Sequence, residues 1–464
     1  MTGPDSDAES GSTLVQQLAT FVHRARWDDL SSPARDALKL RVFDALGCAI
    51  AALNAEPVRA IRDEIEDLGG NPLSTLIGGG KSSPDRVALH NGAAVRYLDY
   101  NDCFLGQNEA CHPSDNLAPV LATGEYAGGS GKDLLVALAV AYQVQCRLSA
   151  LAPVRARGFD HTTQGAYAAA AGAAKALGLD VPCTANAIAI SGTAFNALRV
   201  TRTGRISHWK GLAYPNTAFA AVHATFLAKH GITGPPEVFE GSKGFMDSIS
   251  GPFQIDWLGE GLDAVGETVI KRYNAEGHAQ STLEAVLALR EEHHVDPEHI
   301  DRVDVDVFDV AYEIIGPGAG DKWSVTTKEE ADHSLPYMVA AALLDGQMMP
   351  AQYQPERLGQ LDVQTLLRRI DVREDDDLSR HFPKEHRVRV RIRLQGGEVL
   401  TGERRDWEGS RTRPAGWGMV SEKFRRLSEP RTGEMLARTI ERMVERLEEV
   451  EIAELTALLA SVPR

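Results

Sequence analysis

Residues 97–117, YLDYNDCFLGQNEACHPSDNL, gather Asp99, Asp102, Glu109, His112 and Asp115 into one polar run broken by Gly106 and Pro113. Upstream, Ser82-Ser83-Pro84 opens an apolar pattern that reads as a helix to Leu98, and Asn116 to Tyr126 reads as another downstream. The run is therefore expected to link two buried helices. A polar connection held by a rigid scaffold is where catalytic groups are commonly placed.

Outward from this run the pattern stays helical from Thr13 to Val200. Ser31-Ser32-Pro33 places a cap and a proline ahead of Leu38, Val42, Phe43, Leu46 and Ile50 at helical spacing, and Val58 to Leu68 follows as a further helix. Asn71 to Gly80, NPLSTLIGGG, ends in three glycines but lacks the GK[ST] ending of a phosphate loop, and reads as a turn. The helix from Ser130 to Leu148 is apolar nearly all round, as at the centre of a bundle. Gly158 to Leu179 opens on the polar cluster GFDHTTQG and becomes alanine-rich, which suits close helix packing.

The character changes after about Val265. A helix from Ala279 to Glu291 precedes IDRVDVDVF (Ile300 to Phe308), whose valines alternate as in a half-buried strand, and RVRVRIRLQGGEVLTGE (Arg387 to Glu403) has the alternation and the Gly-Gly turn of a hairpin. Glu329 to Leu344 reads as a helix between them, and helices return from Met419 to Leu459. The expected fold class is mainly α: a large all-helical domain, 1–266, completed by 404–464, with a smaller α+β lid domain, 267–403, inserted.

The 464 residues carry a formal net charge of -16, which argues against nucleic acid and an anionic membrane surface as partners. An anionic substrate would need local positive contacts, and the one basic stretch holds Arg199, Arg202, Arg205, His208 and Lys210. The apolar runs are expected to be too short or too alanine-rich to cross a bilayer. The acidic start, MTGPDSDAESGST, resembles no secretory or transit signal and is expected to be a disordered tail of a cytoplasmic protein. Five cysteines without CxxC spacing fit reduced thiols.

From the residues alone, two readings stand for each candidate. His112 before Pro113 is a loop histidine at a helix start or a catalytic one, and His161 in GFDH has the same ambiguity. Lys210 beside Trp209 is solvated, or it meets an anion at a helix start where a cation otherwise opposes the dipole. Lys271 and His278 are a charge at a domain junction and a histidine near a cap, or site residues. Tyr337 in an apolar helix is a core tyrosine or a donor. Asp99, Asp102, Cys103, Glu109, Cys111 and His112 offer metal-ligand types, but no HExxH, CxxC or carboxylate ladder is present, so no metal or cofactor is expected. Together the residue types suit removal of water from a hydroxy acid, which needs a base, an acid and cations for the carboxylates.

The run DYNDCFLGQNEACHPSDNL resembles the signature of the MmgE/PrpD family, which includes 2-methylcitrate dehydratases and cis-aconitate decarboxylases. GFDHTTQG, SHWKGLAYPNTA, VIKRYNAEGHAQSTLEA and DHSLPYMVAAALLDG extend the likeness from about Pro33 to Leu427. The resemblance implies active-site positions at Asp99, His112, His161, Lys210, Lys271, His278 and Tyr337, with Cys103 where several relatives have threonine. It implies a cofactor-independent lyase on a small di- or tricarboxylate in a cleft between helical domain and lid, and, with the apolar helix content, a homodimer. On that expectation His112 and His161 share proton abstraction and return, and Asp99 orients or charges one of them. Lys210 and Lys271 bind carboxylates, Tyr337 donates to substrate or leaving group, and Arg199, Arg202 and Arg205 are further anion contacts. Decarboxylation or epimerisation in the same cleft is the alternative chemistry, and a non-catalytic helical binding scaffold the alternative class.

Overall fold

The computed structural model describes residues 12–464 apart from Gln107 and Arg205, so Arg205 and the residues read above as a tail, up to Gly11, lie outside the described residues. Helices α1 (Leu14–Arg24), α2 (Ser32–Ala52), α3 (Glu56–Leu68), α4 (Pro84–Tyr97), α5 (Leu117–Ala127), α6 (Gly131–Leu151), α7 (Thr162–Ala176), α8 (Val181–Ala194) and α9 (Trp209–Lys229) follow one another. Their starts come from local chemistry. Ser31 Oγ accepts the Ala34 amide ahead of α2, and Ser130 and Asp133 close a reciprocal cap on α6.

The helix α6 corrects one expectation: it is long and apolar enough to span a bilayer. Here it is the middle of the bundle, with Leu134, Leu135, Leu138, Val140, Val144 and Leu148 buried against neighbouring helices. Side chains of this size each contribute roughly 1.5–3 kcal/mol when removed from water, so this one helix supplies on the order of 10 kcal/mol of gross burial. Alanines and glycines of α7 let its neighbours come close: a Cβ on Gly165 would stand 2.4 Å from the Tyr214 ring of α9.

The second half builds its own core. A four-stranded sheet runs in the order Ile370–Glu374, Ile300–Val307, Val388–Leu394, Val399–Arg404; the first pair is parallel and the others antiparallel. Val303, Val305, Val390 and Ile392 face α10 (Gln280–Glu292) and the Leu335–Asp345 helix. Arg302, Asp304, Asp306 and Arg391 pair on the other face. The strand Ile370–Glu374 was not expected: five residues with two apolar positions carry little periodic signal.

Two further boundaries differ from expectation. Glu329 to Leu344 is not one helix, because Ser334 accepts the Tyr337 amide and caps a new start ahead of Pro336. The C-terminal run divides into Trp417–Glu445, bent where Gly433 takes φ +70°, and Ile452–Ala460. One buried cluster runs from Val15 to Ile270 and resumes from Val420 to Val462, and a second lies within Ala275 to Leu400. The Trp417–Glu445 helix thus packs beside α2 across the Phe43 and Phe424 rings, 4.1 Å apart.

One buried histidine couples this fold to pH. Asn91 on α4 clasps the turn before it: Oδ1 accepts the Ile77 amide at 3.0 Å and Nδ2 donates to the Thr75 carbonyl at 3.0 Å. With that orientation fixed, His90 Nδ1 donates to the same Oδ1 at 3.0 Å. Burial pulls His90 down to about 4 from an ordinary 6.5. Because the folded value is the lower one, the unfolded chain binds the extra proton, and stability falls as pH drops from 6.5 toward 4. Urea denaturation should lose roughly 2 kcal/mol more between pH 6.5 and 5 in the wild type than in His90→Gln.

Candidate active site

The loop after α4 is held by its own side chains. Asp102 is fully buried; Oδ1 accepts the Ser114 amide at 3.0 Å and Oδ2 the Tyr142 hydroxyl at 2.9 Å. Its backbone carbonyl takes a hydrogen bond from His112 Nδ1 at 2.9 Å. A carbonyl can only accept, so His112 carries its proton on Nδ1 and keeps a lone pair on Nε2. Asn116, at the end of the loop, accepts the Tyr214 hydroxyl at 2.7 Å, which ties the loop to α9.

Asp99 turns the chain out of α4 at φ +52°, a left-handed conformation that aspartate tolerates better than most residues. Its Oδ1 accepts Arg96 Nη1 at 2.7 Å and Lys271 Nζ at 2.7 Å, and Lys210 Nζ lies 3.5 Å from Oδ2. Burial alone would raise this carboxyl, but Arg96, Lys271 and Lys210 hold it well below the usual carboxylate range. Lys210 Nζ also donates to Asp332 Oδ1 at 2.7 Å and lies 2.9 Å from His333 Nδ1. Asp332 in turn accepts Lys328 at 2.7 Å. Burial lowers Lys210, whereas Lys271 is raised by Asp99 against its own burial.

The second histidine approaches from α7. His161 is buried, its ring 5.5 Å centroid to centroid from that of His112 and edge-on to it. His161 Nδ1 lies 3.1 Å from Asp160 Oδ1, and Asp160 is held charged by Arg202, whose Nε is 2.6 Å from Oδ2. Nδ1 therefore donates to the carboxylate, and the buried Nε2 has no partner among the described residues. Burial keeps both rings below the ordinary histidine range; Arg96 and Lys271 add to this at His112, whereas Asp160 opposes it at His161. At neutral pH the site thus holds two uncharged imidazoles.

Asp99, His112, His161, Lys210 and Lys271 come together, with Arg202 one step behind and Arg199 Nη1 3.8 Å from Asp160. Cys103 is buried in the joint, exchanging backbone hydrogen bonds with Val269 at 3.0 and 2.8 Å. Its thiol meets Gly277 and is pushed far up by burial. His278 is buried beside Glu276, Nδ1 to Oε1 2.8 Å, among Phe308, Phe382 and His386. Its proton partner is within its own segment. Tyr337 is not in the cluster: the Ser334 cap sets its helix so that the hydroxyl donates to the Gln352 carbonyl inside the α+β core. The core reading of that tyrosine is the one realised.

Sequence reading missed Arg96, Asp160, Asp332 and His333. Arg96 stands in the last turn of α4, directly ahead of the polar loop, which was a usable signal, and Asp332 and His333 stood in the quoted DHSLPY string unweighed. Asp99, Asp332 and His333 also place ligand-type atoms within 4.8 Å of one another. The Lys210 ammonium already sits against these atoms, so a metal ion there would have to displace a buried lysine.

The joint is locked from behind. Lys423, on the Trp417–Glu445 helix, donates to the carbonyls of Tyr100 at 2.7 Å and Lys271 at 2.9 Å, lies 3.7 Å over the Tyr100 ring, and pairs with buried Asp44 at 2.6 Å. One ammonium thereby fixes the residues next to Asp99 and at Lys271 to each other.

Residues 16–258 match the MmgE/PrpD N-terminal domain and residues 273–449 the MmgE/PrpD C-terminal domain. The chain is 28% identical to the mitochondrial 2-methylcitrate dehydratase of Yarrowia lipolytica, over 83% of this chain and 78% of that one. It is 26% identical to the cis-aconitate decarboxylase of Mus musculus, over 95% and 91%, and 26% identical to the 2-methylcitrate dehydratase of Escherichia coli, over 79% of each chain.

Replacing Lys423 by Met leaves Asp44 buried without its partner and should cost roughly 3–5 kcal/mol in chemical denaturation. The double variant Asp44→Leu/Lys423→Met should regain part of that stability, because no unpaired charge remains. An additive double variant would rule out the coupling between the two residues.

Proposed function

The chain belongs to the MmgE/PrpD family, and on that premise we propose that it is a lyase that removes water from a small hydroxy di- or tricarboxylate of the 2-methylcitrate type, without a metal or organic cofactor. The observation that carries this reading is the pair of uncharged imidazoles, each with Nδ1 committed and Nε2 open, beside a cluster of buried cations.

Taking a proton from carbon next to a carboxylate needs a base near neutral pH and positive charge on the carboxylate as it becomes an enediolate. His161 takes the proton on Nε2, with Asp160 stabilising the imidazolium through Nδ1. Arg96, Lys210, Lys271 and Lys328 outnumber Asp99, Asp332 and Asp115, the carboxylates that pair with them, so the pocket can accept a carboxylate in a protein of net charge -16. The carbon–oxygen bond then breaks, and the departing hydroxide takes up the proton the imidazole removed, directly or through His112. Atoms and charge balance within the two-histidine pair.

Decarboxylation starts from the same binding of a carboxylate at the same cations, and the mouse decarboxylase matches over nearly the whole chain. A panel of 2-methylcitrate, citrate and cis-aconitate separates the two: a new conjugated double bond without carbon dioxide marks the dehydratase, and carbon dioxide marks the decarboxylase. Turnover should survive exhaustive chelation, and a loss restored by metal would overturn the metal-free reading.

His161→Ala should lower kcat by roughly 10²–10⁴-fold. Because both histidines lie below 6.5, kcat/KM should hold as pH falls through 6.5 and decline only in more acid solution. Asp160→Asn removes the charge that raises His161, so it should move that decline to still lower pH while reducing kcat.

A further inference from the structure

The helical body and the α+β unit also meet along a second concavity, lined in part by Arg426, Arg431 and Arg464 on one side and by Gln347, Met349 and Pro350 on the other. Its volume is about 690 Å³, and among the described residues no aspartate or glutamate side chain lines it. Each arginine is anchored through part of its guanidinium. Arg426 Nη2 donates to Gln347 Oε1 at 2.7 Å, Arg431 Nη1 to the Pro463 carbonyl at 3.0 Å, and Arg464 Nε to the Gly78 carbonyl at 3.2 Å.

Arg464 has Glu66 at 3.6 Å, but among the described residues Arg426 and Arg431 pair with no carboxylate, the terminal one included. Two cations held by neutral partners, in a protein with sixteen excess negative charges, are the reverse of what composition would place there. Guanidinium forks fixed at one edge keep their remaining N–H groups arranged for planar oxygens. Arg431 is half-buried as well, so its charge lacks both full hydration and a counter-ion.

We propose that this groove is a second ligand site, for a multivalent oxyanion of phosphate or carboxylate type, separate from the histidine pair. The anion bridges Arg426 and Arg431 of the helical body while Gln347 of the α+β unit holds Arg426 in place, so its binding draws the two units together. The proposal stands independently of which reaction the histidine site performs.

Isothermal titration with inorganic pyrophosphate and, separately, with tricarballylate tests the two sources of the charge. One of them should bind one-to-one to the wild type and to Lys210→Met, in which the histidine site is impaired. Affinity should fall at least tenfold in Arg426→Gln/Arg431→Gln, with the melting temperature of the unliganded protein and the basal turnover unchanged. Arg431→Lys, which keeps charge but not the fork, should fall between them. Binding that survives the double substitution, binding lost in Lys210→Met, or no binding of either probe would overturn the site. So would a change in oligomeric state on double substitution without any anion binding, which would make the groove a contact between copies of the chain.

Discussion

The site depends on one carboxylate being shared by several buried cations. Asp99 stands where α4 ends, in a left-handed turn, and its two oxygens are approached by Arg96, Lys271 and Lys210 from three different segments. Among the described residues Lys271 pairs with no other carboxylate, Lys210 and Arg96 divide themselves between Asp99 and Asp332 or Asp115, and burial would neutralise Asp99 without the three of them. The backbone strain at Asp99, about 1–2 kcal/mol for a left-handed residue, is small beside that mutual dependence. From this turn one side chain reaches all three partners.

Around this centre the contacts are arranged to fix distances between segments far apart in the chain. Tyr100 donates to the Arg272 carbonyl, Asn274 Nδ2 to the Leu98 carbonyl at 2.7 Å, and Cys103 pairs with Val269. These bonds weld the hinge at residues 269–274 to the loop after α4. On the far side, the absence of a side chain at Gly165 lets the Tyr214 ring lie against α7 while its hydroxyl holds Asn116. The two histidines face each other because α7, α9 and the loop are locked together by one tyrosine.

Much of this was legible in the sequence. Helical periodicity marked the bundle, alternation marked three of the four sheet strands, and the density of titratable groups in residues 97–117 marked the loop that carries Asp99 and His112. Periodicity reports which face of an element is buried; it is silent on which distant element covers it. For that reason Arg96 and Asp332 went unread although each is plain in the string, and nothing in the string sets Lys423 apart from the other charges of the last helices. Tyr337 shows the converse. Its residue type and neighbourhood suited a proton donor, but a serine cap three residues earlier fixed the rotation of its helix and sent the hydroxyl into the core. The helix α6 lies at the bundle centre as its pattern implied, but it continues to Leu151 and so reaches the length and composition that a bilayer also selects.

The route of the chain through its two cores has a consequence for how the molecule comes into being. The α+β core is built from one continuous stretch and can close on contacts made within it, whereas the helical core stays open on the α2 side until the Trp417–Glu445 helix arrives. Lys423 arrives with that helix and adds its two hydrogen bonds to those by which Tyr100, Asn274 and Cys103 join residues 269–274 to the loop. On a ribosome, a chain that has already made every histidine and lysine of the site still lacks this further clasp and the helix that closes the α2 side of the core. The joint is in this sense complete only once synthesis has passed residue 423 and the last helix has docked.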